Sequence, residues 1–204
     1  LPVASEGAGA GAGDFGEARL GDVLTRLKSE DLDKLNYSSS NKPVDFENWV
    51  TLMRLHLARR HSQLSAWWGV MYRRARLAYE DYLQLPPLAR ADIRPTMEGF
   101  NMVNVTVERY MRRHLMRLMP QHVQQTLIHQ KEVSCADIVF QALVDAGPGT
   151  EADRTSTLYS VVSKGGPVAP REVYERLQRW RFDMQRLCAL GLHPPDPPLP
   201  RNML

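Results

Sequence analysis

Arg109, Arg112, Arg113 and Arg117, with His114 set between them, form the one charge constellation of this chain worth weighing as chemistry. Residues three and four apart are neighbours on a helix surface, so these spacings bring all four guanidinium groups to one face if the segment is helical. Such a row can meet phosphates and release the counterions of a nucleic acid. A solvated face opposite an apolar one would give the same pattern. Trp67 and Trp68 leave a similar choice: adjacent indoles can stack on bases, and aromatic residues on a helical stripe also build cores.

Catalytic patterns are missing. The sequence holds no Walker loop, no Gly-x-Ser-x-Gly, no His-Glu-x-x-His and no Gly-x-Gly-x-x-Gly. The six histidines are scattered, and Cys135 and Cys188 lack metal-ligand spacing. Both cysteines fall inside helical patterns, where a reduced thiol serves as a small buried hydrophobe. No catalytic, metal or cofactor-binding residues are expected, and no small-molecule substrate. A net charge of +3 over 204 residues is lower than dedicated nucleic-acid-binding domains usually carry.

Positioning these residues falls to helices. Residues 1–19, with an alternating Gly-Ala run, have almost nothing to bury and read as a flexible leader. Leu20, Val23, Leu24 and Leu27 then have helical spacing. Asp45 is placed to cap a helix carrying Phe46, Trp49, Val50, Met53 and Leu57, with Trp49 as its anchor. A longer helix over 62–85 turns Leu64, Trp68, Met71, Tyr72, Ala75, Tyr79 and Tyr82 inward and stops at Pro86-Pro87. The arginine row lies on the next, over 95–119, with Val103, Val107, Tyr110, Met111 and Leu118 as its apolar positions. A short helix over 121–130 follows. Ser134 with Asp137, and Thr150 with Asp153, have capping-box spacing and open two more.

The clearest element is the last. Val173, Leu177, Trp180, Met184 and Leu187 step by four, three, four and three residues, which predicts a helix with one buried stripe. Arg171, Glu175, Arg179 and Arg186 fall elsewhere on it. Pro170 suits its first turn, and Gly191 followed by Leu192 has the form of a Schellman ending. The proline-rich 193–198 segment predicts extended polyproline II. No run of alternating β-branched residues predicts a strand, so the expected class is all-α with about eight helices and short loops. No apolar run approaches the roughly 18 residues that span a bilayer, and the glycine-rich start lacks a signal-peptide core. A soluble, cytoplasmic protein with no membrane partner is expected, excised from something longer since its first residue is Leu.

The segment Val173-Tyr174-Glu175-Arg176-Leu177-Gln178-Arg179-Trp180-Arg181, followed by the Leu187 to Leu192 helix end and then Pro195-Asp196-Pro197, resembles the late capsid region of copia-type retrotransposon Gag. Upstream, Ala66-Trp67-Trp68 through Tyr82-Leu83, Arg112 to Pro120, and Pro148-Gly149 through Leu158 fit that pattern in order, so the similarity covers roughly 45–198. The resemblance implies a two-lobed, all-helical, non-catalytic protein that self-assembles into virus-like particles and packages the element's RNA. It places a leader with a short amphipathic helix at 1–41, an N-terminal lobe at 42–131, and a C-terminal lobe at 132–204 ending in a proline-rich tail. Trp49, Trp68, Val173, Leu177, Trp180, Met184 and Leu187 would then be core or assembly residues. The zinc knuckle of many Gag proteins is absent, so RNA contact within this chain would fall to the arginines. A helical nucleic-acid-binding protein and a domesticated Gag-derived adaptor are the alternatives.

Overall fold

A computed structural model of the chain describes residues 19–37, 41–96, 102–130, 132–162 and 169–193. The leader at 1–18 and the proline-rich segment from 194 onward lie outside them. The described residues are all-helical, with no strand among them: α1 (Leu20–Arg26), α2 (Lys42–Arg60), α3 (Ser62–Gln84), α4 (Met102–Leu118), α5 (Gln121–Ile128), α6 (Cys135–Ala146), α7 (Glu151–Val162) and α8 (Val173–Ala189), with short 3₁₀ turns at Ser29–Asp31, Pro87–Asp92 and Pro170–Glu172.

Helix α6 is the centre. Nine of its twelve residues are buried, and they point in every direction around the axis, as an all-round apolar composition requires. It packs against α3 most extensively, and also against α2, α4 and α5. The Ser134 capping box forms as expected: the Asp137 main-chain N–H donates to Ser134 Oγ at 3.0 Å, and the Ser134 N–H donates to Asp137 Oδ2 at 2.8 Å. Gly147 ends the helix at φ +66°, a left-handed conformation that a side chain at this position would strain. Helix α6, at the head of the expected second lobe, thus packs into the same core as α2 to α5.

Around it, Phe46, Trp49, Met53 and Leu57 of α2 meet Leu64, Trp67, Trp68, Met71, Ala75 and Tyr79 of α3 in one continuous apolar cluster. Trp49 and Trp68 pack edge to face with ring centroids 5.7 Å apart. Both members of the Trp67-Trp68 pair are buried to about 1% exposure, so neither is a surface platform for bases. Helix α4 adds Val107, Met111, Leu115 and Leu118, whereas Tyr110, expected on that stripe, is exposed. The segment before α2 is strapped down by two bonds: Trp49 Nε1–H donates to the Asp33 carbonyl at 2.8 Å, and the Leu35 N–H donates to the Leu118 carbonyl at 2.9 Å.

Two helix starts differ from expectation: Pro95 and Thr96, expected to open α4, are not helical, and the described part of that helix begins at Met102. Helix α2 begins before Asp45, because Asn41 Oδ1 accepts the Val44 N–H and Pro43 fits the first turn. Helix α3 starts at Ser62 as expected, capped by His61, whose Nδ1 accepts the Gln63 N–H at 3.1 Å. The Schellman ending of α8 is present, with Leu192 N–H donating to the Leu187 carbonyl at 3.1 Å and Gly191 at φ +72°. Cys135 is buried as expected, but Cys188 is exposed, since it sits one position outside the buried side of α8. No described helix is long and apolar enough to cross a membrane.

A polar cluster closes one end of the core. The Asp145 carboxylate lies 2.9 Å from His122 Nε2 and 3.3 Å from Lys42 Nζ, with Tyr37 beside it. Burial pushes the Asp145 carboxyl up, but His122, Tyr37 and Lys42 outweigh it and hold the group below the usual carboxylate range. A depressed folded pKa contributes stability above the unfolded value of about 3.9, and that contribution is lost as pH falls through the folded value. Asp145→Asn should therefore lower stability at neutral pH and make the parent and variant converge in acid. Urea titrations at pH 7 and pH 3 check this, and a gap that stays constant would refute it. The hub itself is checked by Leu143→Ala, which empties a fully buried position and should cost about 2–5 kcal/mol in the same titrations.

Candidate assembly and nucleic-acid surfaces

Helices α7 and α8 pair with each other. Between them lie Thr157 and Val161 of α7 and Leu187 of α8, all buried. At the centre of that contact Arg186, only 7% exposed, is shared by two carboxylates. Its Nη2 donates to Asp153 Oδ2 at 3.0 Å and its Nη1 to Glu47 Oε2 at 2.6 Å, so one guanidinium joins α8 to α7 and to α2. Asp153 also accepts the Gly149 N–H at 2.8 Å, where the capping-box pattern points to Thr150 as donor. The loop ahead of α7 is held to α3 by the Tyr79 hydroxyl, which donates to the Pro148 carbonyl at 3.0 Å and whose pKa burial pushes up to about 12.

The spacing along α8 puts Arg186 off the buried side and the apolar stripe on it. The structure reverses much of this. Leu187 is buried and Met184 half-buried, but Val173 is 43%, Leu177 59% and Trp180 42% exposed. Burial on α8 is confined to its last turns, where Arg186 and Leu187 are buried and Arg186 is bonded to Asp153 of α7. Together with Tyr174 and Phe182 on α8 and Leu158, Tyr159 and Val162 on α7, the stripe leaves eight large apolar side chains exposed on two paired helices. That is a surface, not a core. Of the residues expected in core or assembly roles, Trp49, Trp68 and Leu187 are core, and Val173, Leu177 and Trp180 are surface.

The arginine row forms a second surface. Arg109, Arg112, Arg113 and Arg117 are all exposed on α4, opposite the buried Val107, Met111 and Leu115. Among the described residues none of the four is within ion-pair distance of a carboxylate. Arg112 Nη1 donates to the Val133 carbonyl at 3.3 Å, which seats it against the segment ahead of α6. His114 does not join the row as a cation. Its Nδ1 is 2.8 Å from Ser29 Oγ, and burial, then Arg117 and Arg113, lower its pKa.

A pocket of about 320 Å³ opens between the end of α3, the Pro87–Asp92 turn and α6. Residue spacing holds no sign of it, because its walls come from four separate segments. Arg90 lies over the Tyr82 ring at 4.9 Å and its Nε–H donates to the Leu85 carbonyl at 2.8 Å, while Arg94 donates to Gln130 Oε1. Among the described residues no three His, Cys, Asp or Glu side chains gather where a metal ion could be held.

Compared with protein-family models, curated proteins and solved structures, the chain matches none.

The two roles on α8 separate by mutation. Arg186→Met leaves Asp153 buried without its cation and is expected to cost about 3–5 kcal/mol in a denaturant titration. Trp180→Ala, at a surface position, is expected to cost less than about 2 kcal/mol under conditions where the protein is monomeric. Equal losses in the two variants would place Trp180 back in the core.

Proposed function

We propose that this chain is a non-catalytic structural protein of the Gag capsid class, acting in the cytoplasm, which self-assembles into particles through contacts that include the α7–α8 surface and encloses RNA against the arginine row of α4. The observation that carries the reading is the exposure of eight large apolar side chains on one pair of packed helices. Val173, Leu177 and Trp180 share one stripe of α8, and monomeric soluble proteins rarely leave large apolar patches open to water, so this stripe calls for a partner.

A second copy of the chain suits it best. Exposed charges of both signs, Glu172 and Glu175 beside Arg171, Arg179 and Arg181, border the apolar residues. A surface carrying both signs can complement itself across a contact between copies. An anionic membrane or a polyanion would call for one sign only. The order of the capsid-like motifs along the sequence supports the same conclusion independently of the surface. The reading as a helical nucleic-acid-binding protein draws on the arginine row, whose guanidinium groups have no carboxylate partner among the described residues. It differs in requiring no particle.

Sedimentation velocity over a range of concentrations, with and without RNA, tests assembly, and electron microscopy of the concentrated protein identifies shells. Leu177→Asp places a charge on the exposed stripe and should leave helix content intact while raising the concentration needed for association by at least about tenfold. A parent protein that stays monomeric throughout, or a Leu177→Asp variant that assembles like the parent, would sink the proposal.

A further inference from the structure

The pocket beside Arg90 has features of a site rather than a surface dimple. Tyr79 and Tyr82 are stacked with centroids 6.1 Å apart and planes 14° from parallel, and the Arg90 guanidinium lies over the Tyr82 ring. With its Nε–H held by the Leu85 carbonyl, that planar cation has a fixed orientation before anything binds. Arg90 and Arg94 both line the pocket, and among the described residues neither is within ion-pair distance of a carboxylate. Phe140, Ile93 and Val144 give it an apolar wall. Asp137 completes the lining, and its Oδ1 is buried and accepts no hydrogen bond from a described residue, since the capping bonds all use Oδ2.

This combination selects an occupant. A purely anionic group would be drawn to the arginines but repelled by Asp137. What fits is a flat group with N–H donors for a carboxylate and negative charge alongside it for the guanidinium groups. A nucleobase with its flanking phosphates has that chemistry, and bases in single strands stack on arginine planes.

The pocket also adjoins the arginine row. Arg94 is bonded to the Gln130 side chain and Arg112 to the Val133 carbonyl, and the backbones of those two residues, three apart, are separated by at most about 11 Å. We infer that one base of a single-stranded RNA inserts into this pocket against Arg90 while neighbouring phosphates of the same strand lie on Arg94, Arg112 and the rest of the α4 row. The inference rests on RNA being a partner, as proposed above, and adds where a base is held.

The test compares a single-stranded RNA oligomer with inorganic polyphosphate of equal charge, each titrated at fixed salt against the full chain. The parent should bind RNA more tightly. Arg90→Lys keeps the charge and loses the stacking plane, so RNA affinity should fall about tenfold while polyphosphate affinity holds. Ala91→Leu, which narrows the pocket without touching a charge, should act in the same direction, and it keeps the test decisive if Arg90→Lys unfolds. Arg112→Glu with Arg113→Glu should weaken both ligands. RNA affinity unchanged in both pocket variants, or a parent that binds RNA no better than polyphosphate, overturns the base pocket and leaves the RNA partner standing. If the parent binds neither ligand, the RNA reading fails and takes this inference with it. An acidic peptide that binds as tightly as RNA and is lost in Arg90→Lys would assign the pocket to a protein partner and overturn the inference as well.

Discussion

Everything in the larger part of the molecule depends on covering α6. A twelve-residue helix with nine buried residues exposes apolar side chains around its whole circumference, so no single neighbour can satisfy it. Four helices are needed, and α2, α3, α4 and α5 supply them. Because the centre is packed at close to crystal density, its neighbours must commit their bulkiest side chains inward. Trp49, Trp67, Trp68 and Tyr79 do so, which removes these aromatics from any role at the surface. What remains outside on α4 is charge.

The ion pair at Arg186 sets the position of the other surface. A guanidinium taken out of water must recover several kcal/mol of lost hydration, and carboxylates close on either side supply that. The 3.0 Å contact with Asp153 and the 2.6 Å contact with Glu47 confine it in two directions, along α7 and toward α2. A purely apolar contact at this point would permit sliding. Directional bonds from separate nitrogens, Nη2 to Asp153 and Nη1 to Glu47, restrict the arrangement, so α8 is held in a set position against α7 and α2.

Much of this was readable from residue order, and the unreadable parts share a cause. Helix positions followed from periodicity, and the Ser134 box and the Gly191 ending followed from local chemistry that depends on neighbours within five residues. Burial of Leu64, Trp68, Met71 and Tyr79 also followed, because α3 carries enough apolar residues to define its own inward side. Failures came where a partner distant in sequence decided the outcome. The α2 cap is the local exception: Asn41, four residues before Asp45, caps the helix, with Pro43 in its first turn. The pocket beside Arg90 draws on the end of α3, a 3₁₀ turn, the end of α5 and α6, and no spacing rule joins Tyr82, Arg94, Gln130 and Asp137.

Helices α6 and α8 show why a stripe of apolar residues is an incomplete message. Both are strongly patterned, yet α6 is buried and α8 largely is not. In α6 the charge is confined to Asp137 and Asp145, and each has local partners: the cap at one end, His122 and Lys42 at the other. Its apolar residues outnumber its polar ones on nearly every side, and the polar Gln141 and Asp145 sit only half-buried, so burial of the rest follows. Helix α8 carries Glu175, Arg179 and Arg181 exposed between its apolar positions, and these keep its N-terminal turns in water. Amphipathicity thus specifies that one side of α8 is to be covered, without specifying whether the same chain covers it. The deciding residue is Arg186, because its two carboxylates draw the last turns of α8 onto α7 and α2 and leave Val173, Leu177 and Trp180 beyond the contact. A buried charge at one end of the helix therefore fixes how much apolar surface is left at the other for a partner.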